Sequence, residues 1–214
     1  MVNYKLKDQF VKLSKKNRLY NLDFPIVALT GGISTGKSTV SSFFKKDGFN
    51  IINADSLVRS IYKKKTSLEF IKNNFPDVIK NESIDFKSLR KVFFEDKKSQ
   101  ELIESFIYKN LEKAFLEEAR DFKDLIIYDV PLLFEKGLRE KFDVVICVYA
   151  PEKIQLKRLI DRDKIQEDLA KKIIKSQMDI EKKKELSDFI IHNDHTQERT
   201  LTEFNKIKEQ LFIN

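Results

Sequence analysis

The chain has 214 residues, 41% of them hydrophobic and 18 of them Phe, which is enough to build one domain, alone or with an inserted lid, that buries about 70% of its unfolded surface. Only 5 Gly and 4 Pro exclude collagen-like and low-complexity chains, and no apolar run approaches the roughly 20 residues that a membrane helix needs. A lone Cys147 and two His leave no internal disulfide and no Cys/His metal cage to expect, so a reducing cytoplasm fits best; the formal net charge of +7 favours phosphate-bearing or acidic partners.

Residues 1–24 carry Lys5, Lys7, Lys12, Lys15, Lys16 and Arg18 against Asp8 and Asp23, without the apolar stretch of a secretory signal. They read as a basic N-terminal extension, either a short extra helix or, in preference, a solvated tail. Folded structure begins at Phe24, because Pro25-Ile26-Val27-Ala28-Leu29-Thr30 is a compact apolar run ending in Gly31-Gly32, as a buried strand feeding a tight turn would be. Lys37 to Lys46 then spaces Val40, Phe43 and Phe44 helically, with Gly48 as its C-terminal cap, and Phe49 to Asn53 is a second strand. Strand, glycine turn, helix and strand make a βαβ unit of a parallel sheet.

Between Asp55 and Asp121 no strand pattern is visible, only helix-like spacing of Leu57, Val58 and Ile61, then Leu89, Val92 and Phe93, then Leu102, Phe106, Leu111 and Phe115. This predicts a helical insertion. Leu125 to Val130 and Val144 to Tyr149 are short, β-branched or aromatic runs and predict central strands, the second one burying Cys147. A helix from Pro151 to about Ile160 follows, then one highly charged helix from Gln166 to Lys184, a last strand at Phe189-Ile190-Ile191, and a closing amphipathic helix from Thr196 to Leu211.

The strongest chemical signal is Gly31-Gly32-Ile33-Ser34-Thr35-Gly36-Lys37-Ser38, which satisfies G-x-x-x-x-G-K-[ST] between a predicted strand and a predicted helix. Glycines let backbone N–H groups turn inward around an anion, and the helix N-terminus adds partial positive charge. Lys37 can then reach the β and γ phosphates of a nucleoside triphosphate such as ATP, and the Ser38 hydroxyl can ligate Mg²⁺. Asp129 ends an apolar strand where a Walker-B carboxylate would hold Mg²⁺ directly or through water; the plainer reading is a strand-end aspartate that caps the turn before Pro131. Asp55 follows the second strand, at the carboxyl edge where ligands bind, and could take the proton of an attacking hydroxyl, or could simply cap a helix from Ser56.

Gln155, Arg158 and Arg162 share one helical face and form a donor row for transferring phosphates, with a solvated basic face as the alternative for Arg162. His192 and His195 lack a third ligand and read as structural or surface groups. No N-K-x-D guanine-reading motif occurs, and no second carboxylate follows Asp129 directly, so the pattern leans towards phosphoryl transfer to a small acceptor. Nucleotide-dependent nucleic-acid binding is the competing class, without an aromatic platform to support it.

Together these residues resemble the dephospho-coenzyme A kinase family, from about Ile26 to the last helix. The likeness is carried by Leu29-Thr30-Gly31-Gly32-Ile33 running into Gly36-Lys37-Ser38-Thr39, and by Asp129-Val130-Pro131-Leu132-Leu133-Phe134-Glu135. Supporting it are Leu89-Arg90-x-Val92-Phe93, Gln155-x-x-Arg158-Leu159-x-x-Arg162, Gln177 and Asp188-x-Ile190-Ile191-x-Asn193.

The resemblance implies an α/β P-loop NTPase fold: a five-stranded parallel sheet flanked by helices (about 25–55, 121–157 and 186–214), a helical substrate-binding insertion at about 56–120, and a lid at about 158–177. It implies Asp55, Lys37 and Arg158 as catalytic residues, with ATP held by Gly32, Ile33, Ser34, Thr35, Gly36, Lys37, Ser38 and Thr39, together with Arg158, Arg162 and Asn193, the last near the adenine. Dephospho-CoA would meet Asp55, Arg90, Asp129, Leu132 and Phe134, and Mg²⁺ would meet Ser38 and Asp129. No nucleic acid or membrane is implied. Three departures stand out: Asn53-Ala54-Asp55 where the family usually has D-A-D, which predicts weaker metal affinity; Ile103 to Lys109, ending Tyr108-Lys109, in place of a His-Pro pair; and Ser34-Thr35 where Gly-Ser is common, which asks Ser34 for a backbone geometry that a non-glycine tolerates.

Overall fold

The computed structural model describes residues 4–213. In chain order the elements are β1 (Lys5–Leu6), β2 (Ile26–Gly31), α1 (Lys37–Lys46), β3 (Ile51–Asn53), α2 (Ala54–Tyr62), α3 (Lys65–Asn74), β4 (Ile79–Lys80), β5 (Ser83–Ile84), α4 (Phe86–Glu95) and α5 (Lys97–Ala119). There follow β6 (Ile126–Asp129), β7 (Val144–Tyr149), α6 (Glu152–Asp163), α7 (Glu167–Lys175), α8 (Ile180–Glu185), β8 (Phe189–His192), α9 (Gln197–Leu211) and β9 (Phe212–Ile213). The chain divides into two compact units, one made of the residues up to Asn53 and from Asp121 onward, the other of Ala54–Arg120.

The first unit is built on a five-stranded sheet ordered β3-β6-β2-β7-β8, with every neighbouring pair parallel. β2 and β7 are buried at all six of their positions. That explains why both read as continuous apolar runs rather than alternating ones: in a parallel sheet covered by helices on both faces, neither side of the strand meets water. Val27 and Leu29 of β2 and Val144 and Ile146 of β7 join Phe43 and Phe44 of α1 and Phe204 and Leu211 of α9 in one core. Phe44 and Phe204 meet edge to face, with ring centroids 4.8 Å apart.

Register decides what stands at the carboxyl edge. Leu29 pairs with Asp129, and Asn53 pairs with the same Asp129 from the other side, so the ends of β2, β6 and β3 lie abreast. The chain leaves β2, the central strand, towards β3 and later crosses to β7 on its other side, so the loop after β2 opens at the point where strand order reverses, the usual ligand position of such sheets.

Residues 4–24 are not the solvated tail that their charge suggested. β1 pairs antiparallel with β9, and Leu6, Leu19 and Leu22 are buried. The segment is tied down by Asp143, a fully buried carboxylate immediately before β7. Asp143 accepts from the backbone N–H groups of Lys12 (3.0 Å), Leu13 (2.9 Å) and Ile26 (3.1 Å), and from Arg18 through Nε (2.8 Å) and Nη2 (3.3 Å). Charge composition misled because the apolar residues that anchor the segment are few and widely spaced.

The second unit is helical as expected, with one exception. Asn81 and Glu82, both at positive φ, close a two-residue turn between β4 and β5, a hairpin too short to leave a period-two signal in the sequence. Asp85 caps α4 by accepting from Lys87 N–H (3.1 Å), and Asp96 caps α5 by accepting from Ser99 N–H (2.7 Å). Leu57, Ile61, Ile71, Leu89, Ile103 and Phe115 form its buried interior, and Phe70 stacks on Phe106 with centroids 4.0 Å apart.

A further difference concerns the charged helix expected over 166–184. It is broken into α7 and α8 at Ser176–Asp179, where Asp179 starts α8 by accepting from Glu181 N–H (2.8 Å). Asp is favoured at a helix N-cap, and that local preference outweighs the continuous charge pattern.

Candidate active site

The loop Gly32–Gly36 connects β2 to α1 at the carboxyl edge. Gly36 sits at φ +85°, in the left-handed region, and a Cβ there would stand 1.8 Å from Asn193 Nδ2, so only glycine fits. Ser34 holds φ +59° without being glycine, a strain of about 1–2 kcal/mol retained in the loop. Two clamps hold this shape. Asn193, buried at the end of β8, donates from Nδ2 to Thr35 O (2.7 Å) and accepts from Thr200 Oγ1 (2.7 Å). On the other side, Ile33 N–H donates to Gln177 Oε1 (2.8 Å).

Lys37 opens α1, where the first-turn N–H groups have no intrahelical partner. Its Nζ pairs with Asp129 Oδ1, and both side chains are largely buried, 14% and 3% exposed. Asn53 Nδ2 donates to Asp129 Oδ2 at 2.9 Å. The Asp-to-Asn departure at position 53 therefore has a local logic: a carboxylate there would confront the Asp129 carboxylate, whereas the amide donates a hydrogen bond to it. Asp129 is a partner of Lys37 and Asn53 rather than the cap of the turn before Pro131. Ser38 follows Lys37 on α1 and is exposed.

Of the α6 row, Arg158 reaches the loop. Its Nη1 comes within 3.9 Å of the point a Cβ on Gly36 would occupy, and that atom is buried without a hydrogen-bond partner, as is Ser34 Oγ. Gln155 does not serve as a donor to the loop: its Nε2 donates to Ala150 O (2.9 Å), while its Oε1 lies 2.6 Å from where a Cβ on Gly32 would be. Arg162 is not brought to the loop either; it is exposed and pairs with Asp163 through Nε (2.6 Å) and Nη2 (3.0 Å). A cavity of about 180 Å³ opens beside Gly32, lined by Gln155, Ile174, Gln177 and Met178.

Asp55 stands in the first turn of α2, one residue into the helix and exposed, so it is not the cap of a helix from Ser56. Arg90 is exposed on α4 in the same unit. Leu132 is 39% exposed and Phe134 half-buried in the turn after β6. His192 packs its ring against Tyr149, and His195 lies 3.3 Å from Asp194.

Two buried polar groups escaped the sequence reading. Lys183, in the stretch that the sequence predicts as one highly charged helix, is fully buried and contacts Glu135 Oε1 (2.8 Å) and Pro131 O (2.9 Å). Its spacing three residues from the apolar Ile180 is the signal that could have placed it inside. Arg18, buried on Asp143, had no such marker.

A glycine-bearing loop leaving the central strand of a parallel sheet, a lysine opening the next helix, and an aspartate at the end of the adjoining strand define a P-loop nucleotide-binding fold. The family model described as dephospho-CoA kinase matches residues 25–198. Relatives include the dephospho-CoA kinases of Fusobacterium nucleatum, 40% identical over 78% of this chain and 89% of that protein, and of Bartonella quintana, 36% identical over 88% and 99%. The solved dephospho-CoA kinase of Campylobacter jejuni superposes with a TM-score of 0.64 at 28% identity, covering 86% of this chain and 96% of that one. The chain belongs to the dephospho-CoA kinase family, the nucleotide-using kinases of the final step of coenzyme A biosynthesis.

Proposed function

We propose that this chain transfers the γ-phosphoryl group of ATP to the ribose 3′-hydroxyl of dephospho-CoA, releasing ADP and CoA. The observation that carries the donor half is the phosphate loop with Lys37 and Asp129 beside it and two buried, unpartnered groups, Ser34 Oγ within the loop and Arg158 Nη1 near Gly36. Residues 32–39 cradle the phosphates, Asn193 holds that loop on the nucleotide side through Thr35, and residues about 158–177 form the lid, which would carry Arg162 to the nucleotide on closing. Arg158 and Lys37 stabilise charge that spreads over the γ oxygens.

Asp55 accepts the 3′-hydroxyl proton as the new O–P bond forms and the β–γ bridging bond breaks towards ADP. Arg90, Asp129, Leu132 and Phe134 are assigned to the acceptor. The donor set near the loop is oxygen-only, the Ser38 hydroxyl and the Asp129 carboxylate, which suits Mg²⁺ better than a softer metal. Ser38 and Asp129 would hold Mg²⁺ there, and the ion would supply positive charge against the charge that develops on transfer.

Two further assignments follow. Three of the six N-terminal cations pair within the chain, Lys12 with Asp188, Lys15 with Asp23 and Arg18 with Asp143, which argues against a nucleic-acid grip. No helix among the described residues is long and apolar enough to cross a membrane, and the lone buried Cys147 suits a reducing compartment, so we place the reaction in the cytoplasm.

The test is ADP release from ATP and Mg²⁺ with dephospho-CoA, beside AMP, CMP, shikimate and no acceptor. Stimulation by dephospho-CoA alone, with CoA appearing, is the expected result. Stimulation by another acceptor, or by none despite ATP binding, overturns the assignment.

A further inference from the structure

Lys183 is a cation that the reaction above does not use, and its side chain has no exposure to solvent. Placing an ammonium there costs several kcal/mol of hydration, and buried ion pairs are often no better for stability than apolar side chains of equal volume. Stability alone is therefore a weak reason for it, and its contacts suggest another. Nζ lies 2.8 Å from Glu135 Oε1, 2.9 Å from Pro131 O and 3.5 Å from Gly31 O.

Gly31 is the last residue of β2 before the phosphate loop, and Pro131 is two residues past the end of β6, which carries Asp129. One ammonium, with three N–H donors, thus spans the exits of the two strands that present Lys37 and Asp129. Pro131 O also accepts from Thr30 Oγ1 (3.2 Å), which adds a direct tie between those exits. Glu135 extends the arrangement: its Oε1 accepts from Met178 N–H (2.9 Å), and the preceding residue, Gln177, accepts from Ile33 N–H in the loop (2.8 Å). The contacts close a ring from the loop through Gln177, Met178, Glu135, Lys183 and Pro131 back to the strand that ends in Asp129.

We infer that Lys183, with Glu135, is a positioning residue for the phosphate-donor half of the site: it holds the carboxyl ends of β2 and β6 and the Gln177 segment in one arrangement, so that Lys37 and Asp129 meet the triphosphate in register. The inference rests on the kinase reading for what is positioned.

The test compares Lys183→Met with Lys183→Met/Glu135→Gln, the second removing the carboxylate that the first leaves unpaired. Melting temperature, MgATP affinity by titration calorimetry, and steady-state kinetics with dephospho-CoA are measured on each. The single variant melts lower and the double recovers much of the loss. Both bind MgATP about tenfold more weakly and turn over about tenfold or more slowly, since a misplacement of about 1 Å can cost about 10²-fold. In the double variant MgATP affinity and kcat stay low although the melting temperature has largely returned, a split that a purely structural role would not produce.

A double variant that regains wild-type melting, MgATP affinity and turnover together overturns the inference and makes Lys183 purely structural. If Lys183→Met does not fold, the double variant decides. If the wild type makes no CoA, the kinase reading fails, and the MgATP titration still judges Lys183.

Discussion

Asn193→Ala tests how the phosphate loop is held. The side chain joins Thr35 O, inside the loop, to Thr200 Oγ1 on α9, at 2.7 Å in each case. Two hydrogen bonds at about 1 kcal/mol net each are lost, but the asymmetry between their partners matters more. Thr200 keeps a second acceptor, Thr196 O at 3.2 Å, whereas the Thr35 carbonyl loses the buried donor that Asn193 supplied. Adding about 1 kcal/mol or more for that orphaned carbonyl gives a loss of about 2–4 kcal/mol.

Urea unfolding followed by far-UV circular dichroism, with amide exchange of β2 as the probe of the sheet-containing unit, reads this as a midpoint lower by about 1–2 M. Thr200→Val closes the cycle: a coupling of about 1 kcal/mol between the two sites is expected if they act through one clamp. MgATP affinity falls with Asn193→Ala, because Thr35 and Gly36 are no longer pinned. A loss below about 0.5 kcal/mol, or strict additivity with Thr200→Val, refutes the clamp.

Three other outcomes are expected. Asp55→Asn lowers kcat by about 10²-fold or more with MgATP affinity unchanged, and near-normal turnover removes Asp55 as the base. Arg18→Met strands the buried Asp143 carboxylate and costs about 3–5 kcal/mol, read by thermal melting, while kcat measured well below the melting range is unchanged; a parallel fall in kcat contradicts a purely structural role for the Arg18–Asp143 pair. Burial pushes the Cys147 thiol from its ordinary 9.0 up to about 12, so the native protein resists a thiol reagent at pH 8 and reacts once unfolded. The folded state holds that proton more tightly, so its contribution to stability is complete below about pH 8.5 and is lost as pH rises towards 12. Cys147→Ala shallows that alkaline decline, and an unchanged slope rejects the assignment.

The parallel core was legible because it is apolar on both faces. Ile26–Thr30 and Val144–Tyr149 announce themselves as unbroken runs, and the glycine pattern at 31–36 marks the turn between strand and helix. Asp129 was legible as a strand end, but its partner was not, since only the register of β3 on β6 brings Asn53 alongside it. Helix breaks and short hairpins were hidden. Asp179 interrupts a stretch whose charge pattern is continuous, and β4 and β5 are two residues each, below the length at which alternation can be seen. The buried ions were hidden for a different reason. Lys183 and Arg18 sit among many other Lys and Arg residues of a chain that carries 41, and nothing in composition separates an ammonium that bonds three oxygens from one that bonds water.

The placement of strain and satisfaction in the sheet-containing unit follows a pattern. At the carboxyl edge Ser34 holds a left-handed backbone, Ser34 Oγ and Arg158 Nη1 lack partners, and Lys37 and Asp129 are packed as a nearly dry pair. The left-handed backbone and the unpartnered groups are local costs; in the proposed reaction the triphosphate supplies oxygens to the donors and a second anion to Lys37. The amino edge is the reverse: Asp143 gathers five donors from the N-terminal segment, Arg18 and the start of β2, and β1 is paired on β9. Local rules are broken at the glycine-bearing loop and over-fulfilled at the opposite end of the same strands. Residues 4–24 lie before the matched family segment, and through Lys12, Leu13 and Arg18 they hold Asp143 at this second end, a stabilising contribution set against the cost of the strained loop.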